Sequence, residues 1–137
     1  MDVDQIRAGQ SIPSISIKIY RSDLIRYAAA SDDYFYIHWD QDRARAEGFS
    51  DVIVHGWLSF AHMLRAVNAW LPAERADVAD YRVRYRQPTY PGLLTCGGTV
   101  SEVTEAKDGL LITLDLWAKD ATGEVKTRAT ATLRTIA

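Results

Sequence analysis

The sequence predicts an α+β fold in which an antiparallel β-sheet wraps around one long α-helix. Three observations carry that expectation. Residues 56–71 are apolar in nearly every helical direction, the C-terminal half is a succession of β-rich runs joined by tight turns, and 137 residues suit one domain, 1–137.

The elements follow in order. Ile15, Ile17 and Ile19 alternate with Ser16 and Lys18, which makes residues 14–20 a strand. Ser22 and Asp23 open a helix that continues through Ala30. Residues 32–39 break that pattern. A short helix follows from about Gln41 to Glu47, capped by Asp40 and stopped by Gly48. The long helix from Gly56 to Leu71 spans about 24 Å. With apolar side chains on all sides it should be buried, with Trp57, Phe60, Met63 and Trp70 in the core, and Pro72 helps to end it. Beyond it, Tyr81, Val83 and Tyr85 alternate with Arg82, Arg84 and Arg86. Residues 93–103 follow a Pro91-Gly92 turn, and 110–119 and 124–136 flank a Thr122-Gly123 turn. No repeat, low-complexity tract or linker divides the chain.

Composition narrows the class of function. Hydrophobic residues make up 47% and charged residues 25%, the balance of an ordinary folded protein. A formal charge of −2 gives no general attraction to nucleic acid or to an anionic membrane, so neither is an expected partner. The three arginines read first as a solvated strand face. The functional alternative is a rim that meets the phosphates of a nucleotide-bearing substrate such as coenzyme A. Cys96 is the only cysteine, so no intrachain disulfide forms, and its strand-like setting favours packing over reactivity. The acidic start, Met1-Asp2-Val3-Asp4, differs from the basic, then apolar opening of a signal peptide. No stretch is apolar enough to span a bilayer, and the expected location is the cytoplasm.

The segment Ser31-Asp32-Asp33-Tyr34-Phe35-Tyr36-Ile37-His38-Trp39-Asp40 carries the candidate chemistry. In a strand, Asp33 and His38 would point to opposite faces; in a helix they would diverge by about 140°. They meet only if the segment folds as an irregular loop, a common setting for active sites. An imidazole with an ordinary pKa near 6.5 suits a general base. A free aspartate, near 3.9, is too acidic to protonate carbon unless burial raises it, and Tyr34, Phe35, Tyr36 and Trp39 are the candidates to bury Asp33. Val54-His55-Gly56 heads the long helix. The unpaired N–H groups there, with no side chain at Gly56, form a candidate oxyanion site. Base, acid and oxyanion donor together fit the addition of water across an α,β-unsaturated thioester.

Each of these residues also has a plainer reading. Asp33 alone would cap a turn, and His38 alone would be a packed histidine. Asp40 is a helix cap in either case. His55, Ser59 and His62 share a helical face. A metal site built on His55 and His62 is the weaker reading of that stripe, and a satisfied polar stripe in a pocket or at a dimer contact is the stronger. No metal and no cofactor are expected. Ser59 lacks the Gly-x-Ser-x-Gly setting of a nucleophile.

The run from Tyr27 to Leu58 resembles the hydratase signature of the MaoC-like dehydratases, the family of (R)-specific enoyl-CoA hydratases. Asp33, Ile37, His38, Asp40, Ala44, Gly48, Phe49, His55 and Gly56 stand at matching places. Residues 83–92 resemble the family's strand ending in a Pro-Gly turn, and the final strands around Gly123-Glu124-Val125 also fit. The resemblance implies a hotdog fold, dimerisation through the sheets and a tunnel for an acyl-CoA or acyl-carrier-protein thioester in fatty acid metabolism. It also implies that Asp33 and His38 activate the catalytic water, with syn addition giving an (R)-3-hydroxyacyl product. Three positions depart from the pattern. Asp32 replaces a glycine, Phe35 an asparagine and Tyr36 a proline. The expected activity is therefore a reversible hydro-lyase. The alternatives are a thioesterase on the same scaffold and a subunit completing a heteromeric dehydratase, the latter motivated by Phe35 and Tyr36.

Overall fold

The computed structural model describes residues 3–136. Met1 and Asp2, on which the expectation of a non-signal start partly rests, lie outside the described residues. A five-stranded antiparallel sheet runs in the order β1-β3-β4-β5-β2, with strands β1 (Ser11–Ile19), β2 (Ala76–Tyr85), β3 (Gly92–Ala106), β4 (Gly109–Lys119) and β5 (Val125–Thr135). Three helices lie between β1 and β2: α1 (Arg21–Ser31), α2 (Gln41–Ala46) and α3 (Gly56–Trp70). The predicted α+β architecture and its order of elements are those observed.

β1 begins three residues before the predicted start. Its ladder to β3 slips between Ile12 and Ile15, so a bulge around Pro13 lets two inward-facing isoleucines sit three apart. Strict alternation hides such a strand, and Pro13 is tolerated because β1 is an edge. α1 starts one residue before Ser22, where the Asp23 carboxylate accepts the Tyr20 N–H at 2.8 Å and holds the first turn. α2 has the predicted cap: Asp40 accepts from the Arg43 N–H at 3.1 Å, and Gly48 leaves the helix with φ at 95°.

α3 corrects the sequence expectation. Phe60, Met63, Ala66, Val67 and Trp70 are buried against the sheet, but Trp57, Ala61, Arg65 and Asn68 form an exposed stripe. The sheet covers one side of the helix, and Trp57, placed in the core from sequence, is 53% exposed. The inner face meets Leu94, Val100, Ile112, Leu114, Leu116 and Leu133 in one cluster. Each of these large side chains contributes roughly 1.5–3 kcal/mol on leaving water.

Cys96 sits in that cluster with no exposed area, and burial pushes its thiol up from 9.0 to about 12. The native protein should therefore resist an aromatic disulfide reagent at pH 8 and react fully once unfolded. Rapid labelling of native protein would contradict this placement.

The turn from β4 to β5 is organised by Asp120. Its Oδ1 accepts from the Thr122 hydroxyl at 2.7 Å and from the N–H groups of Thr122 and Glu124 at 2.9 and 3.1 Å. The Thr122 hydroxyl first, then these amides and Lys126, hold the carboxyl well below its ordinary 3.8, at about 2. Because the folded value lies below the unfolded one, this stabilisation is complete above about pH 4 and fades as pH falls toward 2. In urea unfolding at pH 5 and pH 2.5, Asp120→Asn should lose less stability between the two pH values than wild type; an equal loss would show that Asp120 is not its source.

Candidate active site

The loop between α1 and α2 brings together the two side chains that no regular structure could. α1 ends at Asp32, whose φ of 58° is left-handed. Glycine is the easiest residue there and aspartate one of the few others that tolerate it, so Asp32 in place of glycine keeps the turn. The chain then makes a 3-10 turn at Tyr36–His38, and three bonds pin it. The Trp39 indole donates to the Tyr34 carbonyl at 2.8 Å, the Tyr36 hydroxyl to Glu47 at 2.7 Å, and the backbone N–H of Ile53 to the Ile37 carbonyl at 2.9 Å. The Arg43 guanidinium also lies 3.7 Å over the Tyr36 ring. These contacts restrain the loop where a proline would otherwise fix it.

Asp51 fastens the surrounding segments. It takes two bonds of 2.9 Å from the Arg21 guanidinium, at the start of α1, and one of 3.0 Å from Gln41, at the start of α2. It also accepts the Val52 N–H at 2.7 Å, just before α3.

His38 is buried, and its Nδ1–H donates to the Ile53 carbonyl at 2.7 Å. That bond leaves Nε2 with the lone pair in the neutral ring. Nε2 faces Asp33 Oδ2 at 3.9 Å. The gap is too long for a direct hydrogen bond, but one water oxygen about 2.8 Å from each can span it. Asp33 is itself oriented, since its Oδ1 accepts the Phe35 N–H at 3.3 Å.

The aromatic residues do not bury Asp33 as expected. Its side chain is 48% exposed, and Tyr34, Phe35 and Trp39 are about as open. The Phe35 ring packs instead on Tyr36, with centroids 4.6 Å apart, and Tyr36 in turn lies under the Arg43 guanidinium of α2.

His55, which the sequence shows at the head of the long helix and in a polar stripe, also reaches this loop. It is buried and donates Nε2–H to the Asp33 carbonyl at 3.2 Å. Its ring stacks on His38 with centroids 3.8 Å apart and an angle of 18°, while Tyr27 lies 4.7 Å away. Burial first, and then His38, hold its pKa below 6.5 against the opposing pull of the Asp33 carbonyl and carboxylate. Nδ1 is sealed from solvent and, among the described residues, meets no donor or acceptor. A neutral imidazole is the form this setting favours.

The donor atoms of Asp33, His38 and His55 lie within 4.8 Å of one another. The arrangement fits a metal poorly. Nearly parallel rings send their lone pairs along separate planes, whereas an ion needs nitrogens converging at about 2.1 Å. His62, paired with His55 in the sequence-based metal reading, is outside this group and lines a different cavity beside Tyr27 and Asp23.

A cavity of about 400 Å³ opens beside His38, between the head of α3, the segment 86–89 and β5. Gly56 lines it. Among the described residues nothing accepts from the Gly56 N–H, and His55 supplies no side-chain cap. The helix N-terminus therefore brings a free donor and partial positive charge to the cavity wall. A Cβ at Gly56 would stand 2.6 Å from Tyr85 Cζ, so glycine is needed here for ring packing as well as for access.

The arginines divide. Arg82 and Arg84 lie on the solvated outer face with Asp80, Asp115 and Arg128, whereas Arg86 is an exposed lining residue of the cavity.

A family model described as MaoC like domain matches residues 5–109. The chain belongs to the MaoC-like domain family. Over 70 residues it is 33% identical to the mitochondrial 3-hydroxyacyl-acyl-carrier-protein dehydratase of Arabidopsis thaliana, a match covering 51% of this chain and 41% of that relative. The matched stretches span less than half the length of the curated relatives. A MaoC-like dehydratase structure from Rhodospirillum rubrum superposes with a TM-score of 0.88 at 24% identity, covering 99% of this chain and 97% of that one. The (R)-hydratase from A. caviae gives 0.86 at 21%, covering 96% and 98%. These likenesses fix the fold, the hotdog expected from the sequence. No helix of the described residues is long and apolar enough to cross a membrane.

Proposed function

We propose that this MaoC-like protein is a hydro-lyase that reversibly adds water to a trans-2-enoyl thioester of coenzyme A or acyl-carrier protein, giving an (R)-3-hydroxyacyl thioester. One observation carries the reading: His38 Nε2, which keeps the lone pair in the neutral ring, stands 3.9 Å from Asp33 Oδ2, and His38 lines the same cavity as Gly56. A water between the two side chains gives a proton to His38 Nε2 while its oxygen bonds to Cβ. The C=C electron pair moves toward the thioester, and the charge on its oxygen is met by the Gly56 N–H. The proton then passes to Cα on the same face, and no atom is left over. Dehydration is the reverse. The half-open carboxylate of Asp33 holds the water and balances the imidazolium, in place of the buried acid expected from sequence.

The names of the relatives support the reaction class, and the (R) product rests on family resemblance. We infer, too, that the working form pairs two hotdog subunits, either two copies or one with a related chain. The outer edge of β2, with Val78, Tyr81 and Tyr85 exposed beside Trp57, is unpaired among the described residues. Purified protein should consume enoyl-CoA of at least one chain length, with chiral analysis returning the (R)-3-hydroxy thioester. No turnover at any length by the pure protein, alone or as a purified pair, would remove the proposal.

A further inference from the structure

The cavity beside His38 is not lined as a slot for a plain hydrocarbon. Ser59, Thr89 and Thr127 all line it, and they are only 1%, 6% and 1% exposed. Among the described residues no protein group hydrogen-bonds any of the three hydroxyls. Nor are they sealed in, since among the described residues the side-chain polar atoms cut off without a partner are His55 Nδ1 and Trp70 Nε1. The hydroxyl oxygens therefore open onto the cavity.

Three elements place them. Ser59 lies one helical turn beyond Gly56, Thr127 pairs in register with Tyr85, whose ring rests on Gly56, and the Thr89 carbonyl holds the Val54 N–H at 2.7 Å. All three border the cavity that Gly56 lines, which on the hydratase reading receives the acyl chain. A hydroxyl taken from water without a new partner is destabilising, and native proteins rarely leave several together. Among the described residues the lining holds no lysine and one arginine, Arg86, which is exposed, so beyond His38 the enclosed part offers hydroxyls and no ionic side chain.

We propose that the acyl group handled here carries a neutral oxygen function, a hydroxyl or a keto group, that is received by Ser59, Thr89 and Thr127. This rests on the hydratase reading above and narrows its substrate class. An aliphatic chain of equal length would leave the hydroxyls unpaired, and sites built to bond a substrate oxygen reject the analogue lacking it far more strongly than apolar slots reject an added one.

The test compares kcat/KM of the protein for trans-2-hexenoyl-CoA, its 5-hydroxy and 5-oxo counterparts and an ω-carboxy chain of similar length. Wild type should favour at least one neutral oxygenated substrate over the plain chain by at least about tenfold. The readout in the variants is that ratio, whatever the absolute rates. Ser59→Ala with Thr127→Val should bring it to within about threefold of unity, and Thr89→Val should lower it further or alone. Both main changes suit their helix and strand, and thermal melting confirms folding. Turnover of the plain chain without preference for oxygen, a stronger preference for the carboxylate, or a ratio untouched in every variant overturns this proposal alone. No turnover of any substrate overturns the hydratase reading with it.

Discussion

Replacing His38 with alanine should lower enoyl-thioester turnover by roughly 10²- to 10⁴-fold, the usual contribution of a positioned general base. Asp33→Asn should produce a loss of the same order. The amide keeps the shape and can still touch the water, but it neither balances an imidazolium nor accepts both of its former protons. Because Asp33 is half exposed, this variant should melt close to wild type, which separates lost chemistry from lost fold. His38 is buried, so its variant needs the same melting control. If either protein kept turnover within about threefold of wild type, the shared-water mechanism would be wrong.

His55→Phe should come next in size. The larger ring can still lie against His38 and Tyr27, but it cannot donate to the Asp33 carbonyl, and the loop is then free to shift. Displacement of a reacting group by about 1 Å can cost on the order of 100-fold, so kcat should fall by about 10- to 100-fold with KM little changed. A pH signature distinguishes positioning from bulk packing. The folded pKa of His55 lies below the 6.5 of the unfolded chain, so the unfolded state binds more protons below that value. Wild-type stability is therefore complete above about pH 6.5 and declines as pH falls further, while His55→Phe should lose that part of the decline. His62, also lowered chiefly by burial, supplies a remainder that His62→Phe would remove. A variant with wild-type kcat and an unchanged pH profile would reduce His55 to filler.

These expectations show which features were legible in the chain. The Asp33/His38 pair was visible because its five-residue separation suits neither helix nor strand, and His55-Gly56 because it heads an apolar helix. The position of Asp33 in solvent was not visible. Aromatic neighbours in sequence suggested burial, yet the Trp39 indole is spent on the Tyr34 carbonyl and Tyr36 turns toward Glu47 and Arg43 on α2. Such turns depend on partners five to eleven residues away. The roles of Ser59 and His55 were hidden in one helical stripe. Periodicity shows that they share a face but not that one meets a ring and the other a cavity. The exposure of Trp57 follows from a sheet that covers one side of α3, which the composition of the helix alone cannot indicate.

The order of strands also sets a timetable. Ser11 faces Thr99 across the β1–β3 seam, and Asp33, His38 and His55 are strung between those two points. Neighbouring hairpins among β3, β4 and β5 can zip early, whereas the ring closed by β1 must wait for distant residues to meet, at a larger entropic cost. A nascent chain halted before Gly92 would already carry the acid and both imidazoles, yet have no strand against which to dock its first one. Competence should therefore emerge only once β3 has been made, with the later strands acting as the mould for β1 and the loop that follows it.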